Sequence, residues 1–223
     1  MLSIKPRTLV DQSADLIIDA ASEGVFLPGD RLVDADIARQ IGISRVPVRE
    51  AMRLLESQGV VISVPYRGMR LMAVTNSAAI SITRLRAALE AMAIRDCIAH
   101  ADDAALAEIR AAAVDFRSAL AEPDEGYRRA DRAFHRALCE ATGNATLVTA
   151  WTAIARQVSV LWSLVHHQSG GALLADQHDG IVDAIEARDS ALAMARLEEH
   201  LAAVIAIDFE LALQQKLAVR GNS

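Results

Sequence analysis

The segment from Pro28 to Val61 constrains the fold of this chain most strongly, because it carries two helical patterns separated by a tight turn. In the first pattern, Ile37, Ala38 and Ile41 share one face of a predicted helix. Gly42 follows, and a glycine there can adopt the positive φ that ends a helix. The spacing therefore predicts a short helix, a sharp turn and a second helix.

The second predicted helix separates an apolar face from a basic face. Ser44 precedes this helix and is a candidate N-cap. The apolar positions recur at helical spacing and are Val48, Met52 and Leu55. The arginines recur every four residues and project from one side; they are Arg45, Arg49 and Arg53. Guanidinium groups presented in this way suit the DNA major groove, although a row of charges that only solvates a helix is the alternative.

A short β-rich tail follows the two helices. The runs Val60–Val64 and Met69–Val74 flank a turn at residues 65–68, which predicts a hairpin and hence a winged helix-turn-helix. Arg67 and Arg70 in this wing would contact the DNA backbone or minor groove, which positions a protein without specifying sequence. Because helix, turn, arginine row and basic wing occur in this order, DNA binding is favoured over arginines that only solvate the surface.

The net charge of −6 argues at first against a nucleic-acid partner. The charge is nevertheless uneven: from Ser44 to Arg70, five arginines stand against two glutamates, which gives a local charge of +3. Local charge decides here, since screening confines an exposed charge to roughly 8 to 10 Å. The acidic excess belongs to the rest of the chain.

The same residues resemble the N-terminal domain of the GntR family of bacterial transcription regulators. The resemblance rests on PG-x-x-L from Pro28, on the block IGISRVPVREAMRLLESQG and on the YRG of the wing. It implies a DNA contact surface. Together with the arginine pattern, the DNA-binding candidates are Ser44, Arg45, Val46, Pro47, Arg49, Arg53, Arg67 and Gly68. Val46 stands where threonine is commoner in the family, so one expected hydroxyl contact is missing.

Beyond residues 75–77 the pattern changes to long alanine-rich helices, in keeping with 52% hydrophobic residues. One helix, about Thr8–Ser22, precedes the two helices of the predicted helix-turn-helix. Six more are predicted at about 77–100, 102–121, 123–142, 145–168, 172–187 and 189–215. The chain is thus expected to be mainly α, with a winged helix-turn-helix domain at 1–74, a linker at 75–78 and an antiparallel all-α helical bundle at 79–223.

The bundle contains one constellation that is typical of a metal site. Asp131 and His135 lie four residues apart and share one helix face, while His178 and His200 sit on later helices. Three neutral imidazoles and one carboxylate suit a divalent metal such as Zn²⁺, Ni²⁺, Co²⁺ or Mn²⁺. The alternative is that these are ordinary core or surface histidines, because only the Asp131/His135 pair has diagnostic spacing.

The C-terminal half resembles the FCD effector-binding domain of the FadR subfamily, whose D-x-x-x-H and two later histidines bind a metal. All four positions are matched, and six bundle helices are similar to the VanR-type branch. The resemblance implies a small carboxylate effector held beside the metal. Arg86 and Arg156 could supply its charge partner inside the bundle, or could equally be surface arginines.

These inferences together predict a regulator, most often a repressor in this family, whose affinity for double-stranded operator DNA changes when a small acid binds. A homodimer is expected because one short helix contacts few base pairs. A metal-dependent enzyme and a metal sensor are the alternatives. The enzyme lacks support because the sequence has no HExxH and no nucleophile context for serine or cysteine. With no signal peptide and no apolar stretch of about 20 residues, a cytoplasmic protein without membrane contact is expected.

Overall fold

The computed structural model describes residues 8–121, 124–165 and 171–221. The predicted helix limits at residues 123 and 168 lie outside these ranges, as do residues 1–7 of the predicted first domain. The described part of the chain is mainly α-helical with one small sheet, so the predicted fold class is confirmed.

The N-terminal unit consists of three helices and a small sheet. Helix α1 spans Leu9–Ser22 and begins at a capping box, in which Thr8 and Asp11 each accept a hydrogen bond from the backbone N–H of the other. Helices α2 (Asp34–Ile41) and α3 (Arg45–Ser57) are joined through Gly42, whose φ is 73°. The predicted helix-turn-helix is therefore present, with the glycine in the left-handed region.

The sheet has three antiparallel strands in the order β1-β3-β2. Strands β2 (Val61–Val64) and β3 (Gly68–Leu71) form the predicted hairpin, although β3 ends three residues earlier than expected. Strand β1 (Arg31–Leu32) pairs with the other edge of β3 and was not predicted. Two residues are too short to show an alternating pattern, so nothing in the sequence signals this strand.

The bundle follows directly on the sheet. Helix α4 begins at Asn76, inside the predicted linker, where the Thr75 hydroxyl accepts from the N–H of Ala78. The later helices are α5 (Asp103–Ser118), α6 (Asp124–Glu140), α7 (Ala145–Trp162), α8 (Gly171–Glu186), α9 (Ser190–Ile205) and α10 (Phe209–Gly221), with one 3₁₀ turn at Ala119–Ala121.

The predicted last helix at 189–215 is two helices, so the described residues after the wing form seven α-helices where six were expected. The sequence offers no glycine or proline at the break. Instead, the Asp208 carboxylate accepts from the N–H of Leu211 and from the side chain of Asn76, which caps the start of α10 and fastens it to the start of α4. These hydrogen bonds also lower the pKa of Asp208.

The N-terminal unit and the bundle share one apolar core. Ile17 of α1 and Leu55 of α3 belong to the same cluster of buried side chains as Val158 of α7 and Phe209 of α10. Helix α1 packs against both α3 and α7. A second core lies within the bundle between α4, α5, α6, α8 and α9. Helix α1 therefore links the reading helix to the bundle, and the division into domains at 75–78 stays a prediction.

Candidate DNA-reading surface and candidate metal centre

The arginine row of α3 faces solvent. Val48 and Leu55 are fully buried on the opposite side of the helix. The side chains of Arg45, Arg49 and Arg53 are 58%, 50% and 64% exposed. The sequence therefore predicted the buried face and the exposed face of this helix correctly, and the guanidinium groups are accessible to a DNA duplex.

Asp34, at the start of α2, holds two of these arginines. Its carboxylate accepts from Arg45 Nη2 at 3.0 Å and from Arg49 Nε and Nη2 at 3.0 and 2.8 Å. Hydrogen bonds from Arg49 and then Arg45 hold the pKa of Asp34 below its usual value. The carboxylate therefore fixes the direction of both guanidinium groups. The sequence analysis missed this residue, because 11 and 15 residues separate it from its partners and no helical spacing relates them.

The first turn of α3 presents small side chains. Ser44 occupies the N-cap position, but its hydroxyl makes no capping hydrogen bond among the described residues, so the expected cap is not formed. Val46 is 68% exposed in the first turn. Pro47 is tolerated there because the first N–H groups of a helix have no partner within it. An exposed valine at the tip of a reading helix suits contact with a thymine methyl group.

The wing turn is tight. Tyr66 and Gly68 both have positive φ, 61° and 78°, and Arg67 between them is exposed. Arg70 lies on β3 of the predicted hairpin, but its Nη1 donates to the carbonyl of Gly29 at 2.7 Å instead of pointing freely into solvent. Arg31, its partner across the sheet, is exposed, and its guanidinium lies near Gly68 of the wing, where an added Cβ would be 3.5 Å from Arg31 Nε. Arg31 is thus a basic wing residue that sequence reasoning missed together with its strand.

Three of the four metal-ligand candidates come together inside the bundle, and the fourth, Asp131, lies beside two of them. His135 on α6, His178 on α8 and His200 on α9 are buried, and one nitrogen from each lies within 4.8 Å of the others. Asp131, one turn before His135, is also buried, and its Oδ1 is 3.7 Å from the Nε2 atoms of both His135 and His178. Three helices separated in sequence thus supply one compact group of donors.

Neighbouring side chains orient these imidazoles. Nδ1 of His135 is 3.1 Å from Glu90 Oε2, and Nδ1 of His200 is 3.2 Å from the amide oxygen of Gln177. The ring of His178 stacks on Phe134 with 4.1 Å between centroids. For His200, the Gln177 oxygen places the proton on Nδ1 and leaves the Nε2 lone pair free, which is the arrangement that metal-binding histidines require. Nδ1 of His135 and Nδ1 of His178 have no hydrogen-bond partner among the described residues.

Glu90 was missed by the sequence analysis. It is fully buried on α4 and accepts from Arg86 Nε at 2.7 Å and from Trp151 Nε1 at 3.0 Å. Burial alone would raise the pKa of Glu90, but the charge of Arg86 and the hydrogen bond from it outweigh burial and hold the pKa below its usual range. A signal was present in the sequence: residues 86 and 90 fall on the buried face of α4, with Ile82, Ala93 and Cys97.

The electrostatics of the cluster fit a cation. Burial, followed by the charges of neighbouring side chains, lowers the pKa values of His178 and His200 well below the usual histidine value, so both imidazoles are neutral near pH 7. The Nε2 atoms of His135, His178 and His200 are buried and have no hydrogen-bond partner among the described residues. Buried nitrogens normally have a partner. A divalent metal bound by these atoms and Asp131 would supply it.

A small cavity of about 20 Å³ opens beside the cluster. Charged and aromatic residues line it, among them Arg86, Arg128, Asp131, Arg132, His135 and Trp162. Within the described residues, Arg86 Nη2 and Trp162 Nε1 are buried donors without an acceptor. Two unpaired donors beside a candidate metal position suit an anionic ligand with oxygen acceptors.

Arg156, the second arginine suggested for the effector, lies elsewhere. Its guanidinium donates to the side chains of Gln58, at the end of α3, and Asp15, on α1. It lines a separate surface cleft between α1, α6 and α7, and it is absent from the lining of the histidine cavity. Helix α7 packs against α1 as well as against the bundle, and Arg156 is on the side that faces α1.

Comparisons with known proteins agree with this geometry. Residues 9–71 match the model of the bacterial regulatory proteins of the gntR family, and residues 81–203 match that of the FCD domain. A relative from Paenarthrobacter nicotinovorans, described as "Probable D-xylose utilization operon transcriptional repressor", is 31% identical over 89% of this chain and 88% of its own.

Two solved structures show the same fold. Escherichia coli McbR/YncC has a TM-score of 0.80 at 21% identity and covers 94% of this chain and 99% of its own. A protein from Rhodococcus sp. RHA1, described as a GntR transcriptional regulator, has a TM-score of 0.73 at 23% identity, over 94% of this chain and 97% of its own. In residues 8–121, 124–165 and 171–221, every helix is too short or too polar to cross a membrane.

Proposed function

The chain belongs to the gntR family of bacterial regulatory proteins and carries an FCD domain, so it is a transcription regulator and not an enzyme, and we propose that a small organic acid controls its operator affinity. The acid would bind beside a divalent metal ion in the histidine cavity. The observation that carries the proposal is the set of three buried, unpartnered Nε2 atoms among the described residues, next to two unpaired donors in one cavity.

Operator binding is assigned to the exposed face of α3 and to the wing. Arg45, Arg49 and Arg53 would read base edges or phosphates in the major groove, with Ser44, Val46 and Pro47 at the tip of the helix. Arg67 and Gly68 would place the wing against the backbone. The exposure of the three guanidinium groups supports this assignment.

A homodimer fits the size of this surface. One helix of 13 residues reaches only a few base pairs, whereas two copies related by symmetry read two half-sites and roughly double the binding free energy. Because the relative from Paenarthrobacter nicotinovorans is described as a repressor, repression is the proposed mode.

The metal would be held by Asp131 and the Nε2 atoms of His135, His178 and His200, and Zn²⁺, Ni²⁺, Co²⁺ and Mn²⁺ all accept such ligands. When bound, it would supply a Lewis-acidic position for a carboxylate oxygen. The protein contributes the remaining recognition. Arg86 Nη2 and Trp162 Nε1 would donate to the acid, and Glu90 would orient His135 and balance the charge of Arg86.

A metal sensor is the second candidate. One carboxylate and three imidazoles are four protein ligands, which is enough to complete a tetrahedral zinc site without any further ligand. In that case the metal ion alone would change operator affinity, and the two unpaired donors of the cavity, Arg86 Nη2 and Trp162 Nε1, would have only a structural role.

One binding experiment separates the two candidates. A labelled operator fragment is first selected from a randomised duplex library with the metal-loaded protein. Its affinity is then measured by fluorescence anisotropy for chelator-treated protein, for protein reloaded with each metal, and for reloaded protein with acetate, L-lactate or succinate. If an acid is the effector, adding it should change the operator affinity of the metal-loaded protein, and this change should disappear after chelation. A full response to metal, with none to any acid, would favour the sensor.

The metal site has its own test. His135→Ala should lower the metal content, measured by elemental analysis, from about one ion per chain to a small fraction. His100→Ala is the matched control, because His100 is exposed at the end of α4, and it should keep the wild-type metal content. Equal occupancy in the two variants would reject the proposed ligand set.

A further inference from the structure

Arg132 connects the cavity beside the histidine cluster to the N-terminal unit. It follows Asp131 on α6 and lines the cavity together with His135. Its Nη2 donates to Oδ1 of Asp19, on α1, at 3.0 Å, and its Nη1 donates to Ser159 on α7 at 3.1 Å. A cation at the proposed effector site is therefore held by a carboxylate of the N-terminal unit.

Helix α1 lies between the cavity and the reading helix. Near its C-terminal end, Ser22 is part of the cavity lining. The same helix packs along α3, and its buried Ile17 and Ile18 share a core with Leu55 of that helix. A movement of α1 away from the bundle would therefore displace α3 and its arginines, because packed helices move as units.

The two arginines of the cavity differ in how firmly their partners are held. Glu90, the partner of Arg86, is fully buried on the same helix and contacts two further side chains. Asp19, the partner of Arg132, is 47% exposed, and Arg132 itself is 29% exposed. An Asp19 carboxylate released from Arg132 can be hydrated at once, whereas release of Glu90 would leave a buried charge. Arg132 is thus the cation that a competing carboxylate can take over at low cost.

We propose that Asp19 is an internal competitor of the acid effector: its carboxylate holds Arg132 while the cavity is free of acid, and an acid that binds Arg132 displaces it and releases this contact between α1 and the bundle. The inference rests on the proposed acid site and adds the route by which occupancy reaches α3. It requires the acid to have different affinities for two arrangements of the protein, one with α1 held to the bundle and one with α1 released from it. A ligand shifts a conformational equilibrium only under this condition.

The experiment compares two variants of the full-length, metal-loaded protein. Asp19→Asn removes the competing charge. Asp15→Asn is the matched control, since Asp15 lies one turn earlier on α1 and also accepts from an arginine of the bundle, Arg156, but is absent from the cavity lining. Both changes keep the shape of the side chain, so a general loosening of α1 would affect the two variants alike.

Acid binding can be followed by intrinsic fluorescence, because the two tryptophans of the chain, Trp151 and Trp162, both line the cavity. In titrations with acetate, L-lactate and succinate, Asp19→Asn should bind the responsive acid at least about threefold more tightly than the wild type. Without acid, its operator affinity should already be shifted in the direction in which acid shifts the wild type. Asp15→Asn should match the wild type in both measurements.

Three other results are informative. If the wild type binds an acid but Asp19→Asn and Asp15→Asn both behave like it, the competition is overturned while the acid site stands. If none of the three proteins responds to any of the acids, the proposed acid effector is wrong and the competition falls with it. Equal shifts in both variants would show a mechanical effect on α1 and would also overturn the role of Asp19.

Discussion

Two ion pairs with the same local geometry allow the buried glutamate to be tested in depth. Arg86 and Glu90, and likewise Arg136 and Glu140, are four residues apart on a helix, and in each pair Nε is 2.7 Å from Oε1. The first pair is 3% and 0% exposed, whereas the second is 53% and 49% exposed. The two pairs differ in burial and in the further contacts of Glu90 with Trp151 and His135, and Glu→Gln can be made in both.

The expected costs follow from this difference. Glu90→Gln leaves the Arg86 charge buried without its counter-charge, and breaking a buried pair in this way costs about 3 to 5 kcal/mol of unfolding free energy. Glu140→Gln removes a solvated i,i+4 pair, which is worth about 0.3 to 0.5 kcal/mol. Glu90→Gln also weakens the orientation of His135, and loss of such a partner typically lowers metal affinity by about 10- to 100-fold.

Urea unfolding of the metal-free proteins at pH 7, followed by circular dichroism, measures the first effect, and competition with a chromophoric chelator measures the second. The wild type and Glu140→Gln should agree within about 0.5 kcal/mol and in metal affinity. A Glu90→Gln protein that is as stable as the control would refute the conclusion that an uncompensated charge is buried there. Unchanged metal affinity would refute the orienting role assigned to Glu90.

Three further predictions concern the reading surface and the cluster. Arg49→Ala should weaken operator binding by about 1 to 3 kcal/mol per half-site, whereas Arg196→Ala, an exposed arginine of the bundle, should not; equal losses in anisotropy titrations would point to charge alone. Arg31→Ala should weaken binding to operator and unrelated DNA alike and reduce the salt dependence, and loss on operator only would contradict a backbone contact. Burial lowers the pKa values of His178 and His200, so these histidines take up protons in the unfolded chain at a higher pH than in the folded protein. The free energy of unfolding of the metal-free protein should therefore fall by up to about 1.4 kcal/mol per pH unit for each histidine as the pH falls below about 6.5. A flat profile of urea midpoints from pH 7.5 to 5.5 would contradict this.

The features that the sequence predicted well are those encoded by spacing within one element. Arg45, Arg49 and Arg53 share a face because they recur every four residues, and the structure exposes all three. Asp131 and His135 stack for the same reason, and their apolar neighbours on α6 turn them into the core. Helical periodicity was sufficient to predict both the exposed arginine row of α3 and the buried Asp131/His135 pair of α6.

The features that were missed depend on contacts between distant elements. Asp34 meets Arg49, and Asp19 meets Arg132, only because two helices pack together, and the sequence separations of 15 and 113 residues carry no pattern. The end of α9 was missed for a related reason, since Asp208 caps the next helix with the help of a contact from the start of α4.

Arg156 shows the limit of assigning an inside and an outside to a helix from sequence. Helix α7 is covered on two sides, by the bundle and by α1, so a polar residue among apolar ones could face either. Its guanidinium contacts Asp15 and Gln58, and the cavity is lined instead by Arg132, which the sequence analysis did not consider although it lies between Asp131 and His135.

The most direct test of a metal centre as the basis of effector control is an anomalous difference map from crystals of the full chain grown with Zn²⁺. The proposed ligand set predicts a peak inside the bundle, about 2 Å from the Nε2 atoms of His135, His178 and His200 and from a carboxylate oxygen of Asp131. A map with no peak at these four residues, or with zinc bound only at surface sites, would contradict it.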